Sequence, residues 1–467
     1  MTSTCRFIHI RTFAVLPVLC AVMQVGLPAQ TFTSLSLDAT RGANPFAAPV
    51  QALNGSLYGT AEMGGGNGYG SIFQIRSGGT LTSLYNFDRT DGANPQAGLI
   101  QATNGFLYGV ANGGANDDGV VFQVTPGGRL TKLHDFDFSD GRQPNGLIEG
   151  VDGNFYGTTS SGGIVGTIFK MTPAGTLTVL HGFLGTDGAD PIGLIQAANG
   201  DLYGVTSAGG ANDSGTVFKI TTAGVLTTLY SFSGVDGSAP VGLIQSTDGN
   251  LYGTTLSGGL YNSGTIFKIT PTGTLTVLHS FNGADGYEPN LLLRATDGDF
   301  YGTTQFGGVN TNNCGTGMGC GTIFSITRQG NLTTLYSFCP QIGCADGYLP
   351  KGAMIQDTNG AFYGATFYGG RSATCYNGCG TVFSLNVGLG PFVTTLPTLG
   401  KVGENVRVLG TNLTGTTRVT FNGVAATFKV VTSSLITTTV PTGATTGTVQ
   451  VVTPSGTLSS NVVFRVR

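Results

Sequence analysis

Four sets of polar residues in this 467-residue chain have the type and spacing to do chemistry. Six cysteines come as close pairs: Cys314 and Cys320, Cys339 and Cys344, Cys375 and Cys379. An even number in such pairs predicts three local disulfides in an exported chain. The alternative, a metal site, calls for a repeated ligand spacing and a nearby His, and the sequence offers neither. Asp91, Asp140, Asp187, Asp236, Asp285 and Asp346 recur in one Asp-Gly turn. Their expected role is to accept backbone N–H bonds, with a ring of calcium sites as the alternative and no other cofactor implied. His134, His181 and His279 share a slot with Tyr85, Tyr230 and Tyr336, an interchange that suits partly buried packing better than a catalytic base. Gln51, Gln101, Glu149, Gln196, Gln245, Arg294 and Gln356 form the fourth set and are expected to line a channel, meeting a ligand or only water.

A residue repeated in every unit cannot by itself make a unique reactive centre. An acid–base pair would have to come from residues found in one unit only, such as Glu62, Asp117, Asp118 and Glu288, and no motif links them. Nucleophile elbow, zinc-binding His motif, phosphate loop and dinucleotide fingerprint are all missing from the sequence.

Composition constrains the elements that hold these residues. Gly accounts for 78 positions, charged residues for 10% and hydrophobic ones for 40%. Gly at that density penalises helices by about 1 kcal/mol per residue against Ala. It lacks the three-residue period of collagen, and the apolar content is too high for disorder. With Lys+Arg 21 against Asp+Glu 24, no basic excess is left to neutralise phosphates, so a nucleic-acid partner is not expected. An all-β, turn-rich chain remains. At the start, Arg6 and Arg11 precede an apolar run and Ala29, the order of a signal peptide over residues 1–29. An uncleaved anchor is the alternative. No second apolar stretch of membrane length follows, so no transmembrane span is expected in the mature chain. The expected location is secreted or cell-surface.

The positioning frame is a tandem repeat. Tyr-Gly recurs at Tyr58, Tyr108, Tyr156, Tyr203, Tyr252, Tyr301 and Tyr363, in steps of 47 to 50 residues and a last step of 62. That period fits a four-stranded propeller blade. Four residues before each Tyr stands Asn-Gly or Asp-Gly, as at Asn104-Gly105, which fits a type I′ hairpin turn. A Gly-Gly pair follows, and then Gly-x-[Ile/Val]-Phe with the Phe at Phe73, Phe122, Phe169, Phe218, Phe267, Phe324 and Phe383. After Phe383 no fourth strand appears. An orphan one, Thr31–Leu37, opens the mature chain instead. The first strand is therefore expected to complete the last blade, closing a seven-bladed β-propeller over 30–388 and removing an exposed edge. The alternative is an open β-repeat array.

The repeat unit, as in Leu99–Gly109 followed by Gly-Gly and Val120–Thr125, resembles the GloVer (Gloeo/Verruco-type) tandem repeat of exported bacterial proteins from Thr31 to Asn386. The resemblance implies architecture and export, and no particular chemistry. Kelch blades share the Gly-Gly doublet, but their Trp is missing throughout. From Pro391, alternating Val406–Leu413, Val419–Gly423, Phe428–Val431 and Gly447–Gly456 read as a small sandwich. That stretch is similar to the IPT/TIG immunoglobulin-like domain, placed at 389–467, which implies a structural or binding module.

The cysteine pairs fall where blades six and seven depart from the repeat. From Gly-Gly to the next strand's Gly these blades span 13 and 10 positions, against 3 to 5 elsewhere. Second-to-third loops and blade-to-blade connections emerge on one face, so the three pairs should cluster there. They would preorganise a binding face or only guard long loops against proteolysis. The function expected is a non-catalytic, exported binding or surface-structural protein, with an extracellular glycan or surface protein as partner. The alternative is a polysaccharide-acting glycosidase or lyase, which would need two carboxylates about 5–10 Å apart in a cleft.

Overall fold

Each repeat folds around one contact that explains its two most regular signatures. The glycine of Tyr-Gly on the second strand lies under the phenylalanine of the third. A Cβ at Gly204 would meet the Phe218 ring at 2.5 Å, and the same holds at Gly109 with Phe122 at 2.6 Å and Gly364 with Phe383 at 2.4 Å. The neighbouring Tyr is buried, and its hydroxyl returns to the hairpin turn, as in Tyr156 to Asp152 at 2.9 Å and Tyr301 to Asp297 at 2.8 Å. Six of the seven are buried packing groups, and Tyr363 of blade seven is half-buried.

The computed structural model describes residues 30–467 apart from residue 77, and the described residues contain no helix. The proposed signal segment, with Cys5 and Cys20, lies outside them. Blade four shows the plan: Ala189–Gln196, Leu202–Ala208, Thr216–Ile220 and Leu226–Ser231 pair in order as one antiparallel sheet. Six blades are contiguous in sequence. The seventh combines Ile355–Gln356, Phe362–Thr366 and Thr381–Asn386 with Thr31–Ser36, which pairs antiparallel to the third strand from Thr31↔Asn386 to Ser36↔Thr381. The ring is closed by its own N-terminal strand. The core lies between blades: Tyr156, Ile168 and Phe183 of blade three pack on Leu202, Phe218 and Ile220 of blade four.

The hairpin turns differ from the type I′ expectation. Positive φ occurs at the glycines, such as Gly55 (78°), Gly105 (90°) and Gly200 (90°), but not at the Asn or Asp before them. Gly55 N–H donates to Ala52 O at 2.8 Å, and Ala52 N–H to Ser56 O at 2.9 Å. This is a three-residue loop, a type I turn followed by a left-handed Gly. The Asn side chain caps it: Asn104 Oδ1 accepts from Phe106 N–H at 3.0 Å.

The C-terminal module packs Thr394–Leu396, Asn405–Leu409, Leu435–Thr439 and Phe428–Val430 against Val424–Ala426, Arg418–Phe421, Val449–Thr453 and Gly456–Ser459. Val408, Val419, Phe421, Ile436, Val451 and Phe464 fill the sandwich. It sits on the propeller face that carries the hairpin turns, the turn face. Arg407 donates to Thr103 O at 2.8 Å, Arg465 to Ala198 O at 3.1 Å, and Thr358 Oγ1 bonds Thr411 Oγ1 at 2.8 Å. These bonds reach the inner turns of blades two, four and seven, so the sandwich covers that mouth of the ring. Among the described residues nothing covers the opposite, loop face.

Candidate functional site

The inner-strand series forms a belt between blades. Gln101 Oε1 accepts from Leu53 N–H at 2.8 Å, Gln196 from Val151 at 2.8 Å, Gln245 from Ala198 at 2.8 Å, Gln356 from Thr296 at 3.0 Å and Gln51 from Thr358 at 3.0 Å. Glu149 does the same, taking Thr103 N–H at 2.8 Å and its hydroxyl at 2.6 Å. Each side chain thus satisfies a turn amide of the preceding blade. Arg294 is the exception. A guanidinium cannot accept, its Nε is buried without a partner among the described residues, and burial lowers its affinity for the proton.

The aspartate and His/Tyr series, read separately in sequence, meet in pairs. His134 Nε2 lies 2.8 Å from Asp140, His181 from Asp187 and His279 from Asp285, also at 2.8 Å. Tyr336 donates to Asp346 at 2.9 Å, and Tyr85 and Tyr230 donate to Asp91 and Asp236. In five of the six the other carboxyl oxygen caps the turn, as in Leu184 N–H to Asp187 at 2.9 Å, while Asp346 takes Tyr336 and the Cys339 N–H on one oxygen. The constant six-residue offset in five of the six pairs was the available signal. Six copies, each engaged with its own turn, amount to a structural latch. Among the described residues no cluster of three or more His, Cys, Asp or Glu gathers around a potential ion.

The blade-unique acids stand apart on the loop face. Asp117 pairs with Arg89 at 2.9 Å, Asp118 with Arg142 at 3.2 Å, and Glu62 accepts from Gln96 at 2.9 Å. Burial raises the Glu288 carboxyl above its ordinary range. The cysteines form Cys314–Cys320, Cys339–Cys344 and Cys375–Cys379, with Cα separations of 5.8, 4.4 and 5.2 Å. All three lie on the loop face and knit together: Asn313 donates to Cys339 O at 2.8 Å and Gly370 N–H to Cys344 O at 2.9 Å. They border an open depression of about 550 Å³ with Tyr348, Ser372 and Tyr376.

Exposed apolar groups are distributed unevenly. Tyr69, Phe138, Tyr261, Met318, Ile342 and Tyr376 all project from loop-face segments, with Ile342 91% and Tyr376 103% exposed. Among the described residues the propeller's own turns on the turn face offer only Val151 and Val225, and the sandwich above them Val402, Val431, Val462 and Val463.

One residue that sequence reasoning passed over lies on the turn face. Asp357 occupies the slot held by Ala52, Ala102, Gly150, Ala197, Ser246 and Ala295. It lines a cavity of about 480 Å³ where blade seven meets blade one under the sandwich. It is only 6% exposed, and burial pushes its carboxyl up to about 6. A single acid in an otherwise small-residue column was the readable sign.

Two solved structures share the architecture. A catalytically inactive variant of virginiamycin B lyase from Staphylococcus aureus, solved with quinupristin, is 17% identical with a TM-score of 0.54, over 77% of this chain and 99% of the other. The extracellular domain of a hybrid two-component system from B. thetaiotaomicron is 12% identical with a TM-score of 0.53, over 93% of this chain and 57% of the other's length. Such likeness shows a common fold alone. No protein of curated function matches the chain. No helix among the described residues is long and apolar enough to cross a membrane. The three disulfides fit an exported protein. The C-terminal module matches the IPT/TIG domain over residues 391–466, and residues 21–191 and 163–383 match the Gloeobacter/Verrucomicrobia repeat. The chain therefore belongs to the Gloeobacter/Verrucomicrobia repeat family, its repeats closed into a seven-bladed propeller that carries an IPT/TIG domain.

Proposed function

We propose that this is an exported, non-catalytic binding protein that holds a neutral extracellular polysaccharide on the loop face of the propeller. The observation that carries the reading is the segregation of exposed aromatic and apolar side chains onto the face that the three disulfides brace. Exposed tyrosine rings offer flat apolar surface with a polar tip, suited to the C–H faces of sugars. Fixed loops lower the entropy lost on binding. The latch aspartates of this face are engaged with their own turns, and Asp117, Asp118 and Glu62 are already partnered. The sandwich occupies the other face, where it acts as stalk or spacer.

The test is retention of the full chain on a polysaccharide array, with reducing-sugar release measured in parallel. Binding without release is expected, weakened at least ten-fold in the Tyr261→Ala, Tyr376→Ala double variant. Release that a single carboxylate replacement abolishes would turn the reading into an enzymatic one. Full retention by the double variant would move the site elsewhere.

A further inference from the structure

The cavity between the closing blade and the first blade differs in chemistry from the loop face. Its volume, about 480 Å³, falls within the range of roughly 300–1,000 Å³ that small-molecule sites occupy. Its walls are mainly amides and hydroxyls: Gln51 from an inner strand and Asn54 and Asn359 from turns of the propeller, and Thr411, Asn412 and Ser434 from the sandwich. Among the described residues Asp357 supplies the only carboxyl on that wall. Its Oδ1 accepts the Asn359 N–H at 2.9 Å, and among the described residues its Oδ2 accepts no hydrogen bond. The residue is 6% exposed and lines the cavity, so an acceptor largely shielded from bulk water lies on its wall without a protein partner among the described residues.

The fold does not ask for this group. Four blades place Ala in the same slot and build the same turn, with the Gly N–H returning to the slot's carbonyl at 2.8 Å in blades one, two and seven alike. A buried acid that costs solvation, at a slot where Ala builds the same turn, is a poor choice for stability. It is a good choice for gripping a ligand, because the site forfeits the hydrogen bond whenever the ligand is absent.

We infer that this closing-seam cavity binds a small neutral polyhydroxylated ligand, one or two sugar units, with Asp357 Oδ2 and the surrounding amides as its hydrogen-bond partners. A carboxylate oxygen accepts from a hydroxyl, the Asn412 amide can donate to and accept from its neighbours, and Tyr363 supplies a ring on the wall. A divalent cation fits less well, since such ions take six to eight oxygens with several carboxylates among them. Arg76 on the same wall adds positive charge that would oppose a cation or an amine. The site is independent of the loop face and stands or falls apart from it.

The experiment is calorimetric titration of the full chain at pH 7 with glucose, galactose, maltose and cellobiose, and separately with calcium chloride and cadaverine. At least one saccharide should bind, and Asp357→Ala should weaken it ten-fold or more. That variant installs the residue four other blades already carry, so it should fold, which a melting curve checks. Asp357→Asn, which keeps an acceptor, should lose less. The Tyr261→Ala, Tyr376→Ala double variant should bind the saccharide as the parent does. Absence of saccharide binding, binding undiminished in Asp357→Ala, or response to calcium or cadaverine alone would each overturn the assignment.

Discussion

Blade four and blade seven are built from the same four strands, and their differences separate what folding requires from what it does not. In blade four every repeated polar group has a partner inside the ring. Gln196 takes a turn amide of blade three, and Tyr230 locks Asp236. Blade seven keeps the Gly364–Phe383 contact, common to every blade, and the Gln51–Thr358 bridge, whose counterparts stand at five other seams. It departs in three places. Leu35 and Arg41 stand where other blades carry the His/Tyr–Asp pair. A disulfide spans the long second-to-third loop. Asp357 replaces a small residue. None of the three is needed to make a blade, so each marks a place where something besides folding selected the residue.

The sharpest difference is that blade seven is assembled from both ends of the chain. Removing residues 31–37 would strip six paired positions from Thr381–Asn386 and leave that strand as an open edge. It would also remove Phe32, which stacks on Tyr336 at 4.0 Å and lies 5.8 Å from Phe383. A loss above about 5 kcal/mol is expected, comparable to the whole stability of many proteins. Thermal unfolding followed by circular dichroism should show the melt collapsing to low temperature. An unchanged melt would mean that the ring does not depend on its closing strand.

A smaller effect of opposite sign should follow Asp357→Ala. The carboxyl titrates near 6 in the folded protein against an ordinary 3.8. The folded state therefore holds its proton more tightly than the unfolded chain does. The stability this group contributes is complete below about pH 4 and is lost as pH rises through 6. At pH 7 the penalty is about 3 kcal/mol. Losing the bond to Asn359 N–H gives back about 1 kcal/mol of that gain. The variant should therefore be more stable than the parent by about 2 kcal/mol at pH 7 and no more stable at pH 4, measured by calorimetry at both values. A gain that is equal at the two values would show that the buried charge is not its source.

The ring was legible because every blade repeats the same contacts. Tyr-Gly and Gly-x-[Ile/Val]-Phe are two halves of one packing event, so both motifs survive in all seven copies even where the loop between them lengthens. The orphan strand Thr31–Ser36 was legible for the same reason, as a fourth strand without its other three. The turn type was not, since Asn-Gly serves both a two-residue and a three-residue loop and only the pairing register separates them. The His/Tyr–Asp pairs were half legible: each series was regular, and their fixed offset carried the contact. The docking of the sandwich left no periodic trace. Arg407 on Thr103 and Thr411 on Thr358 are single contacts between unlike modules, and composition says nothing about which residues will meet.

The least effect is expected at the seam between blades five and six, where the comparison can be turned around by repairing a departure. Six seams carry a side chain able to accept the neighbouring turn amide. Here Arg294 presents a donor, its Nε is buried without a partner, and Arg328 reaches Thr247 Oγ1 at 3.2 Å. Arg294→Gln restores the repeat's own residue and places an acceptor against Thr247 N–H. One hydrogen bond gained and one buried unpartnered donor removed should stabilise the ring by about 1 kcal/mol, read as a small upward shift of the propeller melt. If the variant is destabilised instead, Arg294 is doing something at that seam that the other six blades do not need. The seam would then join Asp357 as a position chosen for a reason other than closure.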